Sequence, residues 1–211
     1  MSNVRVKICG ITSLADAKHA ADCGADAIGF NFYAVSKRYI SSPLAAEIVE
    51  RVTMRVEKVG VFVNATVEEI VEIEDAVQLD AVQLHGDETP EFIEELRGES
   101  DATIIKAIRI GPDFDPNDVL QYKADAILLD AFSKVERGGT GETFDWAIAS
   151  HLVILVDQVY LAGGLTPENV AEAIRVVGPY AVDVASGVEA SPGMKDRDKV
   201  AAFIKAAKEA I

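Results

Sequence analysis

Eight short apolar runs alternate with longer amphipathic segments along the chain, and this alternation restricts the fold more than any other feature. The runs are Val4–Cys9, Ala27–Phe32, Lys58–Val63, Ala81–Leu84, Thr103–Ile108, Ala126–Asp130, Val159–Ala162 and Ala181–Val184. Each is apolar nearly throughout, as expected of parallel strands covered on both faces. Their starts lie roughly 20–35 residues apart, the size of a βα unit. The intervening segments carry helix starts. Ser42-Pro43, Thr89-Pro90, Asp115-Pro116 and Thr166-Pro167 each put a capping side chain before a proline suited to the first helical turn. Ser13-Leu-Ala-Asp16 and Thr66-Val-Glu-Glu69 read as capping boxes. A last helix over about Asp196–Ile211 places Val200, Phe203, Ile204 and Ala207 on one face. Eight strands, each followed by a helix, predict an α/β protein that is a single parallel (β/α)8 barrel over residues 1–211. The alternative is an open doubly wound sheet. That fold often carries Gly-x-Gly-x-x-Gly after its first strand, whereas this strand ends Ile8-Cys9-Gly10-Ile11.

The chain has 35 acidic and 20 basic residues, a formal net charge of -15. That balance disfavours an extended groove for nucleic acid and an anionic membrane surface, both of which need clustered Lys and Arg. A small anionic substrate needs only a local positive site and stays compatible with it. Cys9 and Cys23 do not make a disulfide framework. The opening MSNVRVKICG has charges inside its apolar run, unlike a signal peptide, and no run approaches the length of a spanning helix. A cytoplasmic protein, monomeric or homodimeric, is expected.

In a barrel the chemistry sits at the C-terminal ends of the strands and in the loops after them. Gly163-Gly164 follows the seventh run and Ser186-Gly187 the eighth, where many barrels hold a phosphate. Backbone N–H groups exposed by such turns can face an anion, and a helix starting just beyond would add its positive end. Cys9 ends the first run. Near helix N-termini its thiol would shift toward the thiolate and act as a base or nucleophile. Asp130 closes an otherwise apolar run, as a general acid or base or as a structural acceptor. Strands one and six are three steps apart on a closed barrel, so Cys9 and Asp130 would flank one ligand. His85 ends the fourth run and either orients a substrate or bonds a neighbouring strand end. His19 and His151 lie in helical segments, so no metal site is expected. Lys37-Arg38 follows the second run, and Arg suits a bidentate carboxylate contact. Gly138-Gly139-Thr140-Gly141 lacks the lysine of a phosphate-binding P-loop and reads as a mobile loop over the site.

Taken in order, several motifs resemble the phosphoribosylanthranilate isomerase family of tryptophan biosynthesis. They are Val6-Lys-Ile-Cys-Gly-Ile-Thr12, Gly29-Phe-Asn-Phe-Tyr33, Ser36-Lys-Arg-Tyr-Ile40, Val59-Gly-Val-Phe-Val-Asn64, Val82-Gln-Leu-His-Gly86, Leu128-Leu-Asp130, Gly138-Gly-Thr-Gly141, Phe144-Asp-Trp146, Leu161-Ala-Gly-Gly-Leu165 with Pro167-Glu-Asn-Val170, and Val182-Asp-Val-Ala-Ser-Gly-Val-Glu189. The resemblance implies a cofactor-free Amadori rearrangement of a phosphorylated small molecule. Asp130 would be its general acid and Cys9 its general base. Arg38 would hold the anthranilate carboxylate, and the turns at Gly163-Gly164 and Ser186-Gly187 the phosphate. Asp183 and His85 also match family positions and are expected to help bind the substrate. Two positions depart from the pattern: Ala34, where proline is common, and Ala185, where serine often precedes Ser-Gly. The related histidine-pathway barrels, including bifunctional forms, carry an aspartate where Cys9 stands. A non-catalytic phosphate-ligand binder on the same fold would be expected to lose the acid or the base.

Overall fold

The computed structural model describes residues 4–52, 55–111, 114–131 and 146–210. Within them eight parallel strands close on themselves: β1 (Arg5–Cys9), β2 (Ala27–Asn31), β3 (Glu57–Phe62), β4 (Ala81–Leu84), β5 (Thr103–Ile110), β6 (Ala126–Ala131), β7 (Val159–Leu161) and β8 (Ala181–Val184). They coincide with the eight apolar runs to within a residue or two at the ends. β1 pairs with both β2 and β8, so no barrel strand is left as an edge, and the open-sheet alternative falls.

The helices that cover the barrel are α1 (Leu14–Asp22), α2 (Ser42–Arg51), α3 (Val67–Val77), α4 (Pro90–Glu99), α5 (Trp146–Leu155), α6 (Val170–Val177) and α7 (Arg197–Lys208). After β5 the expected α-helix is a 3-10 helix, Pro116–Tyr122. Asp115 still caps it by accepting from the Asn117 N–H at 2.8 Å. Only Val119 of that segment is buried, which leaves little tertiary packing to hold a longer helix.

The helix starts follow the capping signals in part. Thr66 and Glu69 exchange both bonds of a capping box, and Thr89 accepts from the Phe92 N–H. Ser13 accepts from the Asp16 N–H, but the Asp16 carboxylate takes the Lys195 N–H at 3.4 Å, so that box is half formed. Ser41, one residue earlier than expected, precedes α2 and makes no side-chain cap bond. Pro167 lies in a turn, and α6 begins three residues later, after Asn169. Val200, Phe203, Ile204 and Ala207 of α7 are all buried.

The pleat divides the core into two shells. Outward residues such as Val6, Ile8, Ile28, Phe30, Val82 and Leu84 pack beneath the helices. Inside the barrel lies a smaller cluster rich in alanine: Ala27, Ala81, Ala107, Ala126, Ala162 and Ala181 with Val59, Ile105, Leu128 and Tyr160. These short side chains leave room for Lys7, Gln83 and Asp183, which enter from β1, β4 and β8 and are buried. The strands are therefore less uniformly apolar than expected. Three more polar side chains interact near the start of β1, where Arg5 Nη2 meets Glu57 Oε2 at 2.5 Å and Nη1 donates to Tyr180 Oη at 3.0 Å.

A second buried ion pair ties the loops after β3 and β4. Glu88 accepts from Lys106 Nζ at 2.6 Å and from the N–H groups of Asn64 and Gly86. Burial pushes the Lys106 ammonium down, and Glu88 opposes that shift. Removing one partner of such a pair leaves an uncompensated charge. Glu88→Ala is expected to cost about 3–5 kcal/mol in urea unfolding, whereas a loss below about 1 kcal/mol would place this contact among weak surface pairs.

Candidate active site

The C-terminal ends of the strands surround a cavity of about 350 Å³. Cys9, Arg38, His85, Asp130, Gly163, Gly164, Asp183, Ser186 and Gly187 all line it, so these candidates meet at one place. Parity explains the convergence: Lys7 and Cys9, Gln83 and His85, and Asp183 and Ala185 are spaced by two and share the inner face of their strands. The β1–β8 register sets Lys7 directly beside Asp183.

A chain of hydrogen bonds crosses the cavity floor. Lys7 Nζ donates to Asp183 Oδ1 at 2.8 Å and to Gln83 Oε1 at 2.9 Å. Gln83 Nε2 meets His85 Nδ1 at 2.8 Å, and His85 Nε2 meets Asp130 Oδ2 at 3.2 Å. Lys7 is 1% exposed, yet it stays charged. Burial alone would lower its pKa, but the Asp183 carboxylate and Cys9 outweigh it and hold the ammonium above its ordinary value.

Cys9 responds in the opposite way. Burial is the largest influence and pushes the thiol up; Asp183 adds to this, while Lys7 and Lys195 oppose it. The expected shift toward the thiolate is therefore reversed. The strands β7 and β8 are also not followed directly by an α-helix. Beyond β8 comes a 3-10 turn of three residues, Ser186–Val188, then the short strands β9 (Glu189–Ser191) and β10 (Met194–Lys195) before α7. Beyond β7, α6 starts only at Val170.

The two glycine turns are built for close approach. Gly163 and Gly164 have φ of 78° and 66°, a left-handed pair that favours glycine. Asn169 holds the turn by donating to the Gly164 carbonyl and accepting from the Thr166 N–H. At Gly187 an added Cβ would lie 1.9 Å from the Leu165 carbonyl oxygen. The absence of a side chain there lets the β7 and β8 turns touch. Lys195 Nζ anchors the second turn through the Ala185 carbonyl at 3.1 Å.

Arg38 forms a bidentate carboxylate contact, but with a residue of its own chain. Nε and Nη2 donate to Glu189 Oε1 and Oε2, both at 2.7 Å. Glu189 also accepts from Lys195. Although burial acts to raise the Glu189 carboxyl, Arg38 and Lys195 together hold it below its ordinary range. The guanidinium is thereby fixed at the rim from one edge. The Gly138–Gly141 loop and Phe144-Asp145 lie outside the described residues. Among the described residues, no group of three or more His, Cys, Asp and Glu side chains is gathered as a metal site would need.

Lys7, Gln83 and Glu189 escaped the sequence reading. The signal for Lys7 and Gln83 was their place two residues before Cys9 and His85 on the same strand face. Glu189 ends one of the family motifs, but its pairing left no local sign, because its partner Arg38 lies 151 residues away.

Fold and site together define a (β/α)8-barrel protein with its ionisable groups collected at the C-terminal face, the arrangement of barrel enzymes. Residues 6–206 match the family model of N-(5'-phosphoribosyl)anthranilate (PRA) isomerase. The chain is 47% identical to the N-(5'-phosphoribosyl)anthranilate isomerase of Trichlorobacter lovleyi, covering 99% of this chain and 100% of that one. It is 48% identical to that of Thermotoga maritima, covering 97% and 98%. A crystal structure of the Thermotoga maritima enzyme superposes with a TM-score of 0.90 at 46% identity, over 97% of this chain and 98% of that one. Another solved structure, of phosphoribosyl anthranilate isomerase in complex with reduced 1-(o-carboxyphenylamino)-1-deoxyribulose 5-phosphate, gives 0.87 at 45% identity, with 97% and 98% covered. The chain belongs to the phosphoribosylanthranilate isomerase family, isomerases of tryptophan biosynthesis.

Two measurements test the site. Alkylation of Cys9 by iodoacetamide, followed by peptide mass spectrometry to separate it from Cys23, should reach its half-maximal rate above about pH 8.5, the ordinary thiol value. The sign follows from burial: a raised pKa means less thiolate at any given pH. A midpoint near pH 7 would show that the nearby ammonium groups prevail. Gly187→Ala should separate the two turns and lower kcat/KM by about 10²-fold in steady-state kinetics, the scale of an ångström-size misplacement.

Proposed function

We propose that the protein converts N-(5-phosphoribosyl)anthranilate to 1-(2-carboxyphenylamino)-1-deoxyribulose 5-phosphate by a cofactor-free Amadori rearrangement. The reading rests on one observation above others. In a chain of this family, Cys9 and Asp130 end strands three steps apart and line a single cavity whose rim includes both glycine turns.

Asp130, as general acid, gives its proton to the furanose ring oxygen. The bond from that oxygen to C1 breaks as the anthranilate nitrogen lone pair forms the C=N bond of a protonated Schiff base. Cys9, as thiolate, then takes the proton from C2, and the electrons of that C–H bond form the C1=C2 enolamine. Ketonisation moves the enol proton to C1 and completes the isomerisation; proton exchange through solvent then returns Cys9 to thiolate and Asp130 to acid, so nothing is gained or lost overall. Acid and base must begin in opposite protonation states, which two different side chains in different surroundings satisfy better than two alike. Burial favours the resting Cys9 thiol, so Lys7 and Lys195 supply the positive charge that favours the active thiolate.

The phosphate is read onto the Gly163-Gly164 and Ser186-Gly187 turns. Arg38, held at the rim by Glu189, is read as the group that meets the anthranilate carboxylate. Asp183 acts through Lys7, and His85 through Asp130. The chain works as a single barrel domain. The related complex with a reduced product analogue supports a phosphorylated small-molecule substrate. Cys9 sets this chain apart from the histidine-pathway barrels, and the presence of both Cys9 and Asp130 sets it apart from a binder without catalysis.

Purified protein without added metal should consume phosphoribosylanthranilate, followed as loss of anthranilate fluorescence. Cys9→Ser and Asp130→Asn should each lower kcat by about 10²–10⁴-fold, the range of a positioned acid or base, with unchanged far-UV circular dichroism. Full activity in either variant would sink its assigned role.

A further inference from the structure

The buried chain from Lys7 to Asp130 runs through groups whose donor and acceptor roles can be deduced without reference to hydrogen positions. An ammonium only donates. The Gln83 atom 2.9 Å from Lys7 Nζ must therefore be the carbonyl oxygen, which turns the amide nitrogen toward His85. That nitrogen only donates, so His85 Nδ1 must accept and carries no proton. The single imidazole proton then resides on Nε2, which donates to Asp130 Oδ2. Rotating the imidazole by half a turn would place ring carbons against both partners, so the ring orientation follows as well. A doubly protonated His85 would set two donors face to face at Nδ1, 2.8 Å apart.

The geometry points to Lys7 and Gln83 as positioning residues that lock His85 into its Nε2–H tautomer and thereby keep a donor fixed on Asp130 Oδ2. This rests on the assignment of Asp130 as the acid and deepens it. A carboxylic acid has two equivalent oxygens, and a general acid acts best when its orientation is fixed. A donor fixed on Oδ2 removes the degeneracy. The tautomer of an orienting histidine has this kind of leverage in the Ser-His-Asp triad, where the wrong tautomer is costly even with the geometry kept.

The arrangement also explains why so much polar surface is buried under the cavity. Lys7 spans from β1 to β4, strands that are not neighbours, and Asp183 keeps it charged and in place. The charged side chains that act on Lys7 and Cys9 are Asp183 from β8 and Lys195 from β10, and the carboxyl against His85 is Asp130 from β6. A neutral amide between the ammonium and the imidazole transmits orientation while keeping the two cation-capable groups apart.

The test is ¹⁵N NMR of the histidine side chains in the intact, ligand-free protein at neutral pH. The His85 signals would be assigned against His19→Asn and His151→Asn variants. Wild-type protein should show His85 with a bare Nδ1 and a protonated Nε2. Gln83→Glu is near-isosteric and replaces the donor at Nδ1 by an acceptor, so Nδ1 should gain a proton. Its kcat should then fall by about 10²-fold, the lower end of a general acid's contribution, with KM changed less than about twofold. A wild-type His85 protonated on Nδ1 would overturn the inference and leave the acid assignment standing. So would a Gln83→Glu variant with wild-type kcat. Full turnover in Asp130→Asn would instead overturn the assignment on which the inference rests.

Discussion

Closure of the parallel sheet is the constraint on which everything else depends. Once β1 pairs with β8, the strands have one shared interior and one shared set of C-terminal ends. Every second side chain must then enter that interior or the mouth above it. Residues far apart in the chain are brought together without any local reason. Lys7 meets Asp183 across 176 positions, and Arg38 meets Glu189 across 151. The alanine-rich interior is the packing counterpart of this arrangement, because bulky neighbours would exclude the polar chain that supports the mouth.

That interior also resolves the apparent conflict between a net charge of -15 and an anionic substrate. Long-range repulsion acts through solvent and is screened over about 10 Å at ordinary salt. The mouth presents different local charges. Three cations, Lys7, Lys195 and Arg38, are gathered there and paired with Asp183 and Glu189, so positive groups are concentrated locally although the chain as a whole is acidic. Several of the surplus acids, including Glu68, Glu69, Glu72 and Asp75, are exposed on α3. Glu74 is an exception: it is half-buried and accepts from the Ser100 hydroxyl at 2.6 Å.

Much of the architecture was legible because strand and helix signals are local. Apolar runs marked all eight strands to within a residue or two, since burial on both faces leaves a plain mark in the sequence. Helix starts were read less well. Thr66 and Glu69 formed their capping box, but Pro167 fell in a turn because Asn169, not Thr166, begins the next helix. The helix expected after β5 tightened to a 3-10 helix for want of an apolar stripe. The candidate site residues were legible from barrel logic and family motifs, since strand ends form the active face. Their electrostatics were not. The Cys9 thiol was expected to fall and instead rises, because its burial, with Asp183 adding to it, outweighs Lys7 and Lys195.

By itself the sequence determined the number and order of strands, the family, and which side chains end each strand, because these depend on near neighbours and on recurring motifs. Only the tertiary structure decided which charges are paired, which groups are dry, and how one hydrogen bond dictates the next from Lys7 through Gln83 and His85 to Asp130. Those properties depend on distances of about 3 Å between residues from different strands. A linear pattern carries no such distances until the barrel closes.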